Sequence, residues 1–146
     1  MMQEVNMQVK DLMTTGISCV RPEASLIQAA KQMKQENIGS IPVCNDKGEV
    51  LGIVTDRDIV IRALSEDSQK NTVAEIMTTA IISATPNMNT HEAALLLSKY
   101  QIRRLPVVSS GKLVGMLSIA DIARKTLFID EAGDILSAVS KVGSIS

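Results

Sequence analysis

A single histidine, two cysteines and a formal charge of only −1 leave this 146-residue chain poorly equipped for several common chemistries. His91 alone cannot build the usual zinc cluster, and serine, cysteine and histidine do not recur in any triad-like order. Cys19 and Cys44 sit in apolar, strand-like runs without C-x-x-C or other metal spacing, and read as reduced core residues, which points to a cytoplasmic setting. Fifteen basic and sixteen acidic residues are interspersed, so there is no basic footprint of the kind that holds nucleic acid. No apolar run approaches the ~18 residues that span a bilayer. The stretch Met1-Met2-Gln3-Glu4-Val5-Asn6 lacks the basic and apolar regions of a signal peptide. What remains is ample core material: 45% of the residues are hydrophobic, enough for one compact domain or two small halves.

The chain contains an internal repeat. Val9-Lys10-Asp11-Leu12-Met13-Thr14-Thr15 returns as Val73-Ala74-Glu75-Ile76-Met77-Thr78-Thr79, an offset of 77 − 13 = 64. Pro22 returns as Pro86, Ala29-Ala30 as Ala93-Ala94, and Ile41-Pro42-Val43 as Leu105-Pro106-Val107. One residue is then lost in a turn, and Gly48, Gly52, Thr55, Asp58 and Ile59 return as Gly111, Gly115, Ser118, Asp121 and Ile122. The expected organisation is a first copy over 8–65, a polar linker over 66–71, a second copy over 72–127 and a tail over 128–146.

Both copies predict the same elements. A short helix near Val9–Met13 or Val73–Met77 leads to an extended segment, Ile17–Val20 or Ile81–Ala84, that stops at a proline. An amphipathic helix follows, opened by Ser25 with Gln28 and by Asn89 with Glu92. Its apolar face is Leu26, Ala29, Ala30 and Met33, or Ala93, Ala94 and Leu97. Hairpins follow across Asn45-Asp46-Lys47-Gly48 and across Ser109-Ser110-Gly111. A closing helix starts at Thr55 or Ser118. The fold class is α/β (α+β): two β-α-β-β-α repeats, each with an uncovered sheet face, packed sheet to sheet about a pseudo-twofold axis.

The tetrad Thr55-Asp56-Arg57-Asp58 has two readings. Threonine followed three residues later by aspartate is a capping box, which needs no ligand. A helix N-terminus is also a place where phosphate binds. Arg57 alternates with acids and is read as making surface pairs. His91 matches Ile27 of the first copy and is read as a non-catalytic helix residue. The eight methionines are read as core and cleft filler.

The duplicated Asp11-Leu12-Met13-Thr14 and Glu75-Ile76-Met77-Thr78 openings, the two Pro-centred strands, and 52-GIVTDRD-58 with 115-GMLSIAD-121 resemble a tandem pair of CBS domains (cystathionine β-synthase domains, a Bateman module) over residues 8 to 127. The resemblance implies a non-catalytic regulatory module whose clefts bind adenosine-containing ligands such as AMP, ADP, ATP or S-adenosylmethionine. No cofactor is implied beyond an adenine nucleotide as ligand. The main cleft it implies comprises Thr15, Gly16 and Ile17 beside the base, Thr55 and Asp58, and Arg103, Arg104, Leu105 and Pro106. Asp58 suits a ribose diol, and the guanidinium groups suit phosphate. The second, weaker cleft comprises Thr79, Ala80, Ile81, Ser118 and Asp121 with Gly39, Ser40, Ile41 and Pro42, where no cation stands before the proline. A homodimer is implied too, through helices carrying Ile59, Ile61, Leu64 and Ile122. The alternatives are a ligand-independent dimerisation module, or a sensor of S-adenosylmethionine or another nucleotide. The regulated target is not legible. In the tail, Asp134 is placed to cap a helix striped by Ile135, Leu136, Val139 and Val142.

Overall fold

The computed structural model describes residues 7–65 and 69–126. The expected tail helix, and Glu66, Asp67 and Ser68 of the linker, lie outside the described residues. In chain order the elements are α1 (Val9–Leu12), α2 (Leu26–Glu36), β1 (Ser40–Cys44), β2 (Val50–Thr55), α3 (Asp56–Asp58), α4 (Val73–Ile76), α5 (Thr90–Lys99), β3 (Arg104–Ser109), β4 (Lys112–Ser118) and α6 (Ile119–Thr126), with a π-helical stretch Ile59–Leu64 continuing α3.

Local chemistry sets most of these boundaries. Ser25 Oγ accepts from the Gln28 N–H at 3.0 Å while Gln28 Oε1 accepts from the Ser25 N–H at 2.8 Å, so α2 begins with a reciprocal cap. It ends at Asn37, whose φ of 56° is a left-handed stop that asparagine tolerates. Ala29 and Met33 are its buried face, whereas Ala30, expected beside them, is exposed. α5 is capped differently from the sequence expectation: Asn89 Oδ1 accepts from the His91 N–H at 2.7 Å, the short side chain reaching the nearer amide. Three successive β-branched residues, Ile59-Val60-Ile61, follow α3, and there the helix widens to π geometry, with Ser65 N–H reaching Val60 O at 2.9 Å.

β1 and β2 form an antiparallel pair in register Ser40↔Thr55, Ile41↔Val54, Pro42↔Ile53 and Val43↔Gly52, with an irregularity after Val43. β3 and β4 form a second two-stranded sheet. The extended segments expected before each proline contribute only single parallel bridges, Val20↔Val43 and Ala84↔Val107.

The fold comprises two compact units, and they cut the chain differently from the sequence copies. The β1–β2 unit contains residues 18–65, 69–81 and 110–113; the β3–β4 unit contains residues 7–17, 82–109 and 114–126. Each opening motif is therefore built into the unit of the other copy. In the β1–β2 unit, Val73 N–H bonds to Ala24 O, Ala74 N–H to Pro22 O, and Thr78 and Ile53 exchange both backbone bonds at 2.9 Å. In the β3–β4 unit, Val9 N–H bonds to Met88 O at 2.8 Å, and Thr14 and Met116 exchange both bonds at 2.9 Å. The cores follow the same division. Val20, Ala29, Met33, Ile41, Val43 and Val54 pack with Val73 and Ile76 in one unit. Ala84, Ala93, Leu97, Leu105, Val107 and Leu117 pack with Val9 in the other.

One sequence expectation is corrected here. Cys44 is buried, but Cys19 is exposed. The segment Ile17-Ser18-Cys19-Val20 makes a single bridge at Val20, which turns inward and leaves its neighbour facing solvent.

Candidate functional site

In both copies the T/S-x-x-D motif is a completed helix cap. Asp58 N–H donates to Thr55 Oγ1 at 3.0 Å and Thr55 N–H donates to Asp58 Oδ2 at 3.0 Å. Asp121 N–H donates to Ser118 Oγ at 3.0 Å and Ser118 N–H to Asp121 Oδ2 at 3.0 Å. One oxygen of each carboxylate is thus committed to the backbone, which fixes the direction of the other, Oδ1. Both carboxylates are largely sheltered, with side chains 13% and 10% exposed.

The remaining oxygens face cations that the sequence reading passed over. Arg62 Nε lies 3.7 Å from Asp58 Oδ1, and its Nη1 also donates to Ile76 O at 3.2 Å. Arg124 Nη2 bonds to Asp121 Oδ1 at 2.6 Å. The signal was present, since four- and three-residue spacings on a helix bring side chains together. The two motifs consequently differ: Asp121 Oδ1 has a full charge-assisted bond, whereas Asp58 Oδ1 has only a long approach.

The β1–β2 unit brings together Thr55, Asp58, Gly39, Ser40, Ile41, Pro42, Thr79, Ala80 and Ile81. Gly39 O accepts from the Asp56 N–H at 2.9 Å, which ties the approach to β1 to the motif helix. Thr79 and Ala80 are exposed beside the Ile53↔Thr78 bridge, two residues before Thr55. The β3–β4 unit brings together Thr15, Gly16, Ile17, Arg103, Arg104, Leu105, Pro106, Ser118 and Asp121. There Arg103 O accepts from the Ile119 N–H at 3.1 Å, the equivalent tie. Arg103 and Arg104 are exposed, whereas Ile41, Pro42, Leu105 and Pro106 are fully buried and belong to the cores. Each of the two residue sets expected from the sequence therefore draws on both units.

Among the described residues no three His, Cys, Asp or Glu side chains group so as to hold a metal ion, and no helix is long and apolar enough to cross a membrane.

The CBS domain family profile matches residues 9–65 and 73–127. The CBS domain-containing protein YhcV of Bacillus subtilis is 40% identical over 133 residues, covering 90% of this chain and 94% of that protein. Among solved structures, CBSX2 in complex with AMP superposes with a TM-score of 0.76 at 29% identity, over 84% of this chain and 98% of that one. The CBS domain pair of protein MJ0100, in complex with 5′-methylthioadenosine and S-adenosyl-L-methionine, superposes with a TM-score of 0.72 at 33% identity, over 81% of this chain and 98% of that one. With a profile match to both copies and a relative of this identity along nearly its whole length, the chain belongs to the CBS-domain family, as a tandem pair of the domain.

Proposed function

We propose that the chain is a non-catalytic regulatory module that binds an adenosine-containing ligand of the AMP, ADP or ATP class and signals through a conformational or dimer change. Thr55, Asp58, Arg103 and Arg104 are its principal ligand residues, with Thr15, Gly16 and Ile17 beside the base. The observation that carries this reading is an asymmetry between the copies. At the start of β3 stand two exposed arginines, Arg103 and Arg104; the matching residues at the start of β1 are Gly39 and Ser40. The carboxylates differ between the copies as well: Asp58 Oδ1, in the first copy, is the freer acceptor for a ribose hydroxyl, and Asp121 Oδ1, in the second, is already taken by Arg124. Support from outside the chain is the AMP in CBSX2. Ser118, Asp121, Thr79, Ala80 and Ile81 with Gly39 and Ser40 form the weaker set.

The test is calorimetric titration of the wild type and of Arg104→Ala, Asp58→Ala and Asp121→Ala with AMP and with adenosine. A charge-assisted contact to phosphate is worth about 1.5–3 kcal/mol, so Arg104→Ala weakens AMP roughly tenfold or more and adenosine far less. Asp58→Ala weakens both ligands, and Asp121→Ala leaves most AMP binding intact. Equal losses for AMP and adenosine on removing Arg104 would show the arginine acting through packing. A second reading is favoured by the ligands of MJ0100: a sensor of S-adenosylmethionine would bind that ligand more tightly than AMP in the same titration.

A further inference from the structure

The two cysteines are neighbours on one side of the β1–β2 unit. A parallel bridge joins Val20 to Val43, made by Val20 N–H to Pro42 O at 3.0 Å and Cys44 N–H to Val20 O at 2.9 Å. Val20 and Val43 both pack in the core. Alternation along extended chain then turns the residue before Val20 and the residue after Val43 to the opposite side together. Cys19 is exposed there and Cys44 is buried. Burial pushes the Cys44 thiol up to about 12, reinforced by the charge of the Cys19 side chain and by a hydrogen bond between the two. A shallow, open depression of about 490 Å³ lies over Cys19 along α2, its walls including Ser18, Gln28, Lys31, Gln32 and Glu36.

We propose that Cys19 and Cys44 form a redox-modification site, a dithiol that a low-molecular-weight disulfide converts to an intramolecular disulfide, with Cys19 as the point of attack and Cys44 as the resolving thiol. The depression admits the reagent to Cys19, and Lys31 offers a cation to any carboxylate it carries. In the first step the Cys19 thiolate attacks one sulfur of the reagent; the S–S bond breaks, and one thiolate leaves and takes up the proton that Cys19 released. In the second step Cys44 gives up its proton and attacks the Cys19 sulfur, expelling the other half of the reagent as a second thiol. Two protein thiols are oxidised and one external disulfide is reduced. The order follows from the surroundings. Cys44, sheltered and held protonated, is a poor first nucleophile. Once Cys19 is capped, it no longer carries a charge beside Cys44, so ionisation becomes easier at the step that needs it. Burial persists, which makes the second step the slower one. The proposal does not rest on the nucleotide reading.

The full chain is incubated with oxidised glutathione, alkylated at intervals, and analysed by intact mass, peptide mapping and non-reducing electrophoresis. The expected course is a transient glutathione adduct on Cys19, followed by loss of two hydrogens per chain, a Cys19–Cys44 cross-linked peptide at monomer mobility, and reversal by dithiothreitol. Cys44→Ser stops at the Cys19 adduct. Cys19→Ser, a change at an exposed position that leaves the fold intact, slows modification of Cys44 by about tenfold or more. The proposal is overturned by a persistent adduct with Cys44 still free, by disulfides between chains, by unchanged Cys44 reactivity in Cys19→Ser, or by no reaction.

Discussion

Replacing Gly52 with alanine places a methyl group where the backbone of the opening motif passes. A Cβ at Gly52 meets Thr78 O at 2.6 Å and Met77 Sδ at 2.9 Å. Both approaches are too close to stand, and the carbonyl oxygen is not free to retreat, because it accepts from the Ile53 N–H at 2.9 Å while Thr78 N–H returns a bond to Ile53 O. Overpacking costs about 1–3 kcal/mol, and loosening two backbone bonds adds about 0.5–1.5 kcal/mol each. The entropy that alanine removes from the unfolded chain returns about 0.4–1 kcal/mol. The expected net loss is about 1–5.5 kcal/mol. The repeat supplies its own control in Gly115, where the added Cβ lies 2.6 Å from Met13 Sδ but 3.0 Å from Thr14 O. A thioether at the end of a flexible side chain swings aside and the carbonyl barely moves, so Gly115→Ala costs about 1 kcal/mol or less. Because the chain has no tryptophan, urea unfolding is followed by far-UV circular dichroism, with midpoints compared at constant slope. If Gly52→Ala falls within about 0.5 kcal/mol of the wild type, or Gly115→Ala proves the more damaging, the close-approach reasoning is wrong.

Thr55→Ala and Ser118→Ala each remove one cap acceptor and lower stability by about 0.5–2 kcal/mol in the same urea assay; valine at position 55 gives no rescue, whereas serine does. Glu75 accepts from the Thr72 and Asn71 N–H groups and from the Thr72 hydroxyl, and these bonds, the Thr72 N–H first, hold its carboxyl below the ordinary 4.5. Its folded value is depressed, so its contribution is present above about pH 4.5 and is lost as pH falls through the lower folded value. Acid unfolding of Glu75→Gln measured across that window therefore shows a shallower pH dependence than the wild type. Val60, Ile61 and Leu64 on the π-helical stretch, and Leu95 on α5, are more than two-fifths exposed. We expect them to be covered in a homodimer, so that light scattering at micromolar concentration gives twice the chain mass, and Leu64→Arg gives the mass of one chain.

Features decided by a few adjacent residues were legible in the sequence. The Ser25/Gln28 box, both hairpins and the two motif caps depend on residues a few positions apart, and they formed where the spacing put them. The exchange of opening segments was not legible, because Val9 and Val73 present the same apolar helix whichever sheet receives them. The outward turn of Cys19 was hidden too, since the sequence Ile17-Ser18-Cys19-Val20 has no clean apolar–polar alternation from which to tell which residue turns inward. At the candidate site, Thr55, Asp58, Ser118 and Asp121 were found through the duplication of their motif. Arg62 and Arg124 escaped notice because they lie downstream of it, where the copies no longer match in sequence.

The placement of the opening segments makes the two units unequal in time. The β1–β2 unit ties Ile53 to Thr78, a separation of 78 − 53 = 25 residues, whereas the β3–β4 unit ties Thr14 to Met116, a separation of 116 − 14 = 102. Closing the longer span costs about 1.2 kcal/mol more in chain entropy, and on a ribosome it cannot begin until Met116 has been made. A duplicated sequence therefore has a directional order of assembly, in which α1 is synthesised well before the strand it joins and must wait for it. Moving residues 7–17 to follow α6 in a circular permutant would turn that late, distant closure into a local one and speed the final folding phase.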